Sequence, residues 1–124
     1  MKLRPIPSTP VQVANRYHLR GAAHASSISV QRPGPLGNRW RAQEVGRETA
    51  LANYRKWLDE EFHRRDGEAY RELMRLAWLD PLTITCTCLP RECHAQIVAE
   101  YIERLRKELR TVREGMETTD DGSF

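Results

Sequence analysis

The sequence predicts an α/β domain: a short three-stranded mixed sheet packed with about three helices, in the order β-β-α-α-β-α. Three observations predict it. Two segments near the N-terminus alternate β-branched residues. From Arg47 the apolar spacing changes to three and four residues. Finally, a threonine-rich strand at 82–88 runs straight into a helix that opens at a proline.

Taken in order, "VQVANRYHL" (11–19) has the β-branched start of a strand, and "SSISVQR" (26–32) alternates Ile28 and Val30 as a second. Between them "RGAAHAS" is small and loop-like. "RPGPLGNRW" (32–40) then holds two prolines, two glycines and an asparagine, a composition for defined turns. Leu51, Tyr54, Leu58 and Phe62 mark the first helix, with Trp57 beside the stripe, and "RRDG" (64–67) ends it. "EAYRELMRLAWL" (68–79) is a second helix, facing inward with Tyr70, Leu73, Met74 and Ala77. Asp80-Pro81 stops it, because proline disfavours helix in the residue before it.

In "LTITCTC" (82–88), Leu82, Ile84, Cys86 and Cys88 share one face while Thr83, Thr85 and Thr87 take the other. Pro90 suits the first position of the last helix, where its missing N–H costs nothing. Val98, Tyr101, Ile102, Leu105 and Leu109 form that helix's apolar stripe, with Glu103 and Lys107 spaced to pair outside it. After Glu114 the period disappears. Residues 1–114 are therefore expected to form one domain, with 115–124 as a disordered tail.

The 124 residues suit a single core, and 30% charged residues is the balance of a soluble chain. No apolar run approaches a membrane span, and "MKLRPIPSTP" lacks the apolar region of a secretory signal. Three cysteines within eight residues cannot make a disulfide framework, so a cytoplasmic location is expected. Charge is unevenly spread. Residues 1–47 carry eight Lys/Arg against one acid, Glu44, a local +7 within a net charge of +3. Arginine outnumbers lysine 17 to 3. Guanidinium is the better bidentate partner for phosphate, which points to a nucleotide or nucleic acid. A coding bias toward arginine on solvated faces explains the same excess.

"TITCTCLPRECHAQI" (83–97) holds every cysteine and one of the four histidines. Three readings fit it. As a zinc site, Cys86, Cys88, Cys93 and His94 make a Cys3His set, but the spacing is poor. Side chains at i and i+2 on a strand sit ~7 Å apart, whereas thiolates on one tetrahedral zinc sit ~4 Å apart. Adjacent Cys93 and His94 diverge by ~100° around a helix. As a reactive-thiol pocket, Cys93 gains thiolate character from a helix N-terminus, and His94 serves as acid, base or donor; these two are the candidate catalytic residues. As plain structure, Cys86 is a small core residue and His94 begins the helix's apolar stripe.

The Gly/Pro loop offers the second candidate. Gly37 and Asn38 can turn backbone N–H groups toward an anion, with Arg32, Arg39 and Arg41 at hand to pair with it. The Lys-Ser/Thr of a P-loop is missing. An ordinary tight turn with Trp40 packed inward accounts for the same residues.

Together, "VQRPGPLGNRW" and "LTITCTCLPRECHAQIV" resemble the domain of unknown function 4326 family of bacterial and phage proteins. The hallmarks are a G-R-P-x-P-x-G-N-P-[FW]-like loop, a Tyr/Trp-bearing helix and a C-x-C-x-P-x-x-C-H motif. The loop matches at Arg32, Pro33, Pro35, Gly37, Asn38 and Trp40, the helix at Tyr54, Trp57 and Leu58, and the last motif at Cys86, Cys88, Pro90, Cys93 and His94. Arg39 stands where the family usually has proline, and Ala95 where it commonly has glycine. The resemblance implies that Gly37, Asn38, Cys88, Cys93 and His94 belong to one set, with loop and cluster in a shared pocket. It brings no assigned activity. The resulting expectation is a phosphate-bearing ligand held at a strand-tip pocket, with Cys88 lining it and nucleotide-directed chemistry open to it. The other expectation is a non-catalytic module, zinc-stabilised or purely packed, that docks on nucleic acid or a host protein.

Overall fold

The computed structural model describes residues 5–15, 27–30, 34–40, 45–86 and 94–120, with Asn15, Cys86 and 116–120 described in backbone only. Among these lie strands β1 (Gln12–Asn15), β2 (Ile28–Ser29) and β3 (Thr83–Cys86). The helices are α1 (Arg47–Arg64), α2 (Glu68–Ala77) and α3 (His94–Asp120). The order is the one the sequence predicts.

The three strands lie in the spatial order β1-β3-β2, with both outer strands parallel to β3. The expected mixed sheet is thus corrected to an all-parallel one. Antiparallel neighbours need only a tight hairpin, whereas parallel ones need a long crossover. Here the chain reaches β3 only after passing through α1 and α2, then enters between the two earlier strands. Register pairs Asn15 with Cys86 and Ser29 with Thr85, so all three carboxyl ends share one edge. A central parallel strand is covered on both faces, and β3 obeys this. Ile84 is buried on one face, while Thr85, which the alternation assigns to the opposite face, is only 1% exposed.

Helix α1 buries Ala50, Tyr54, Leu58 and Phe62, a repeat of four that lays one stripe on the core. Leu51, expected in that stripe, is only partly buried. The helix ends with Arg65 in the left-handed region at φ 65°, its N–H bonded to the Glu61 carbonyl. Glycine is the usual residue there, and the conformation costs any other residue about 1–2 kcal/mol. Helix α2 buries Ala69, Tyr70, Leu73, Leu76 and Ala77 and stops short of Asp80-Pro81.

Helix α3 packs Ala95, Ile97, Val98, Tyr101, Ile102 and Leu105 onto the sheet and the other helices. Its backbone stays helical to Asp120, past the loss of apolar period at Glu114. Glu103 does not pair with Lys107, as its spacing suggests. It pairs instead with Arg106 at 2.9 Å and accepts the Val11 N–H. Arg106 is fully buried, with a bond on each of its three guanidinium nitrogens. Its guanidinium donates to the carbonyls of Thr9 (2.8 Å), Ala77 (3.0 Å) and Leu79 (2.7 Å). Among the described residues, no helix is long and apolar enough to cross a membrane.

Candidate functional site

The carboxyl edge of a parallel sheet is where open α/β folds bind ligands. Three parts of the chain converge there. Val30, just past β2, takes its N–H to the Thr85 carbonyl at 3.2 Å, which ties the segment to the end of β3. His94, the first residue of α3, is 7% exposed and reaches the Val30 carbonyl at 2.7 Å through Nε2. A carbonyl only accepts, so Nε2 carries the proton. Holding a ring nitrogen on a backbone carbonyl fixes the orientation of the imidazole.

The third part is the Gly/Pro loop. Tyr54 of α1 donates its hydroxyl to the Leu36 carbonyl at 2.6 Å and so fixes the loop. The same ring meets His94 edge-on at 5.1 Å and Trp57 at 5.5 Å. Trp57 in turn carries the Arg39 guanidinium over its ring, 4.6 Å from the centroid. An unbroken row, Arg39–Trp57–Tyr54–His94, thus runs from an exposed cation to a buried imidazole. Cation–π contact holds the first member against the Trp57 ring.

The loop itself is built by turn chemistry. The Gly37 N–H bonds to the Gly34 carbonyl at 3.0 Å, and the Asn38 side chain accepts the Trp40 N–H at 2.9 Å. Left-handed conformations among the described residues fall at Gly46 and Arg65, not at Gly37 or Asn38. The Gly37 amide is therefore engaged within the turn, and Arg39 is the described loop residue best placed to pair with an anion. Trp40 packs against the core, as its alternative reading expects. Beside the loop lies a cleft of about 400 Å³, lined by Gly34, Pro35, Gly37, Arg39, Trp57, Glu61, Glu68 and Ala69. Its walls combine one aromatic face, one cation and two carboxylates.

Of the residues the sequence singles out, His94 lies at this edge, and Gly37, Asn38 and Arg39 lie in the loop that Tyr54 links to it. The backbone of Cys86 ends β3 at the same edge. Arg32, Arg41, Cys88 and Cys93 lie outside the described residues, as do the side chain of Cys86 and the helix start expected at Pro90. Among the described residues no three His, Cys, Asp or Glu side chains gather to hold a metal. Sequence reasoning counted Tyr54 and Trp57 only as helix-face residues. Their family match was the signal that could have placed them at the site. It missed Glu61 and Glu68 altogether, because acids on helix surfaces are common.

Fold and site together define a small parallel α/β domain with a histidine at the strand tips. The chain belongs to the family described as a domain of unknown function (DUF4326), whose model matches residues 13–104. No curated protein and no solved structure matches it.

Proposed function

We propose that this domain binds a phosphate-bearing ligand, a nucleotide or nucleic acid, at the carboxyl edge of its sheet. The observation that carries the reading is the row Arg39–Trp57–Tyr54–His94, which links the loop to the strand tips. Arg39 supplies a phosphate partner, and Trp57 a surface on which a base can stack. Glu61 and Glu68 would repel phosphate, so their part of the cleft suits sugar hydroxyls or base amino groups, which donate to carboxylates. By sequence, Cys93 directly precedes His94 and Cys88 lies six residues before it. His94, its ring oriented by the bond to Val30, would serve the bound ligand as a hydrogen-bond donor or in proton transfer.

Calorimetric titration with nucleoside mono-, di- and triphosphates, and with a short single strand, tests the reading. Binding that weakens about 10-fold in Arg39→Gln supports it, the loss of one charge-assisted contact. No binding of any of these ligands at low salt would overturn it. Metal analysis of untagged protein decides the thiol chemistry. About one zinc per chain with protected thiols makes the cluster a metal centre. Free reaction of all three cysteines removes that option.

A further inference from the structure

A second, separate surface carries the features of a phosphate-backbone contact. An open groove of about 550 Å³ lies between the end of α1 and the middle of α3, lined by Arg65, Arg104, Lys107, Glu108, Thr111 and Val112. Residues 104–112 sit about 15–27 Å along α3 from His94, at 1.5 Å per residue. It is not part of the strand-tip site.

Two arginines in this groove are held in place before any ligand arrives. Arg104 lies over the rings of Phe62 (5.0 Å) and Tyr101 (4.7 Å), and Arg65 over Phe62 (5.5 Å) and Tyr70 (5.6 Å). Carboxylates brace both. Glu108 receives two bonds from Arg65 at 2.9 and 3.0 Å, and Asp59 stands 3.6 Å from Arg104. The side chains nevertheless remain 47% and 46% exposed. Lys107 adds a third cation, with no ion-pair partner among the described residues. A guanidinium already ordered on an aromatic face loses less freedom on binding than a mobile one, and its planar fork matches phosphate oxygens.

Arg65 gives an independent hint. It occupies the left-handed position that glycine fills at least cost, at φ 65°. Strained non-glycine residues of this kind collect where the side chain serves a purpose.

We propose that this groove binds the backbone phosphates of a nucleic-acid strand, with Arg65 on one wall and Arg104 and Lys107 on the other. Concavity favours a strand lying within the groove over a flat bilayer surface. Arg65, Arg104 and Lys107 outnumber the two carboxylates beside them, Glu108 and Asp59, by one.

Fluorescence anisotropy with a labelled single-stranded 20-mer, followed across a salt series, tests the proposal in the full chain. Replacing Arg104 and Lys107 together by Gln should lower the slope of log affinity against log salt by about 1.4, the share of two phosphate contacts on a single strand. Arg65→Gly removes the guanidinium while relieving the backbone. It should weaken binding about 10-fold, with its melting transition kept. Unchanged affinity and slope in variants that still melt cooperatively would overturn the proposal. So would failure of the native chain to bind the strand at low salt, or binding only to vesicles rich in phosphatidylserine. Loss in Arg39→Gln but not in the groove variants would leave the strand-tip reading standing and sink this one.

Discussion

Helix α3 carries a buried polar side chain at each edge of the sheet, and the two are built to opposite ends. Arg106 lies at the amino edge, where its bonds to Thr9 and Leu79 catch the chain just before β1 and just before β3. His94 lies at the carboxyl edge, bonded to the carbonyl just after β2. Arg106 is sealed, with every donor group of its fork in use and no exposed surface. His94 instead joins an aromatic row that surfaces at the exposed Arg39. A buried cation bonded at all three nitrogens can do little but hold parts together. An oriented imidazole packed in a row that reaches the surface is what the proposed binding site requires.

The sharpest way to break this comparison is at Arg106. Changing it to Met leaves three carbonyls without their donor and Glu103 with only the Val11 N–H, and should cost about 3–5 kcal/mol in urea unfolding while ligand affinity at the strand tips is unchanged in the folded fraction. His94→Ala should cost less, about 1–3 kcal/mol, because one carbonyl loses its donor, yet it should abolish the strand-tip function entirely. If the two variants exchange these behaviours, the contrast is wrong. Tyr54→Phe sharpens it further. The ring against His94 remains but the Leu36 carbonyl is released, so about 1 kcal/mol of stability should go and nucleotide affinity should fall with the loosened loop.

The smallest effect concerns pH. The Tyr101 hydroxyl, bonded at 2.7 Å, holds the Asp59 carboxyl below its ordinary value of 3.8, helped by His63 and Arg104. A depressed carboxyl adds stability above its unfolded value, and that stability is lost as pH falls through the folded value. Unfolding followed from pH 5 down to 2 should therefore show a small acid-linked loss that Tyr101→Phe reduces. Burial and the same bond push the Tyr101 hydroxyl up from 10.0, so its own contribution disappears only as pH rises above that value.

Much of this could be read from the chain alone. Spacing gave the helical stripe of Tyr54, Leu58 and Phe62, and β-branched runs gave all three strands, because these signals are local and depend on neighbours a few residues away. The candidate site was half legible. His94 and the Gly/Pro loop stood out by composition, and the family match set them side by side. The role of Tyr54 as the link between them did not show, since a tyrosine on a helix stripe looks the same whether its hydroxyl meets water or the Leu36 carbonyl. Asn38 was legible as a turn residue, but Gly37's amide bond to Gly34 was not.

The sequence by itself determined which segments are strands and helices, in which order they come, and which family the chain resembles. Only the tertiary structure decided that all strands run parallel, that Thr85 is buried, and that Arg106 closes one edge of the sheet while His94 orients itself at the other. Those outcomes depend on partners far apart in the chain: 64 residues separate His94 from Val30, and 97 separate Arg106 from Thr9. A local pattern carries no record of which distant carbonyl a buried donor will find. Packing makes that choice, because leaving such a donor unpaired in the core costs about 1–3 kcal/mol, a sizeable share of a small domain's stability.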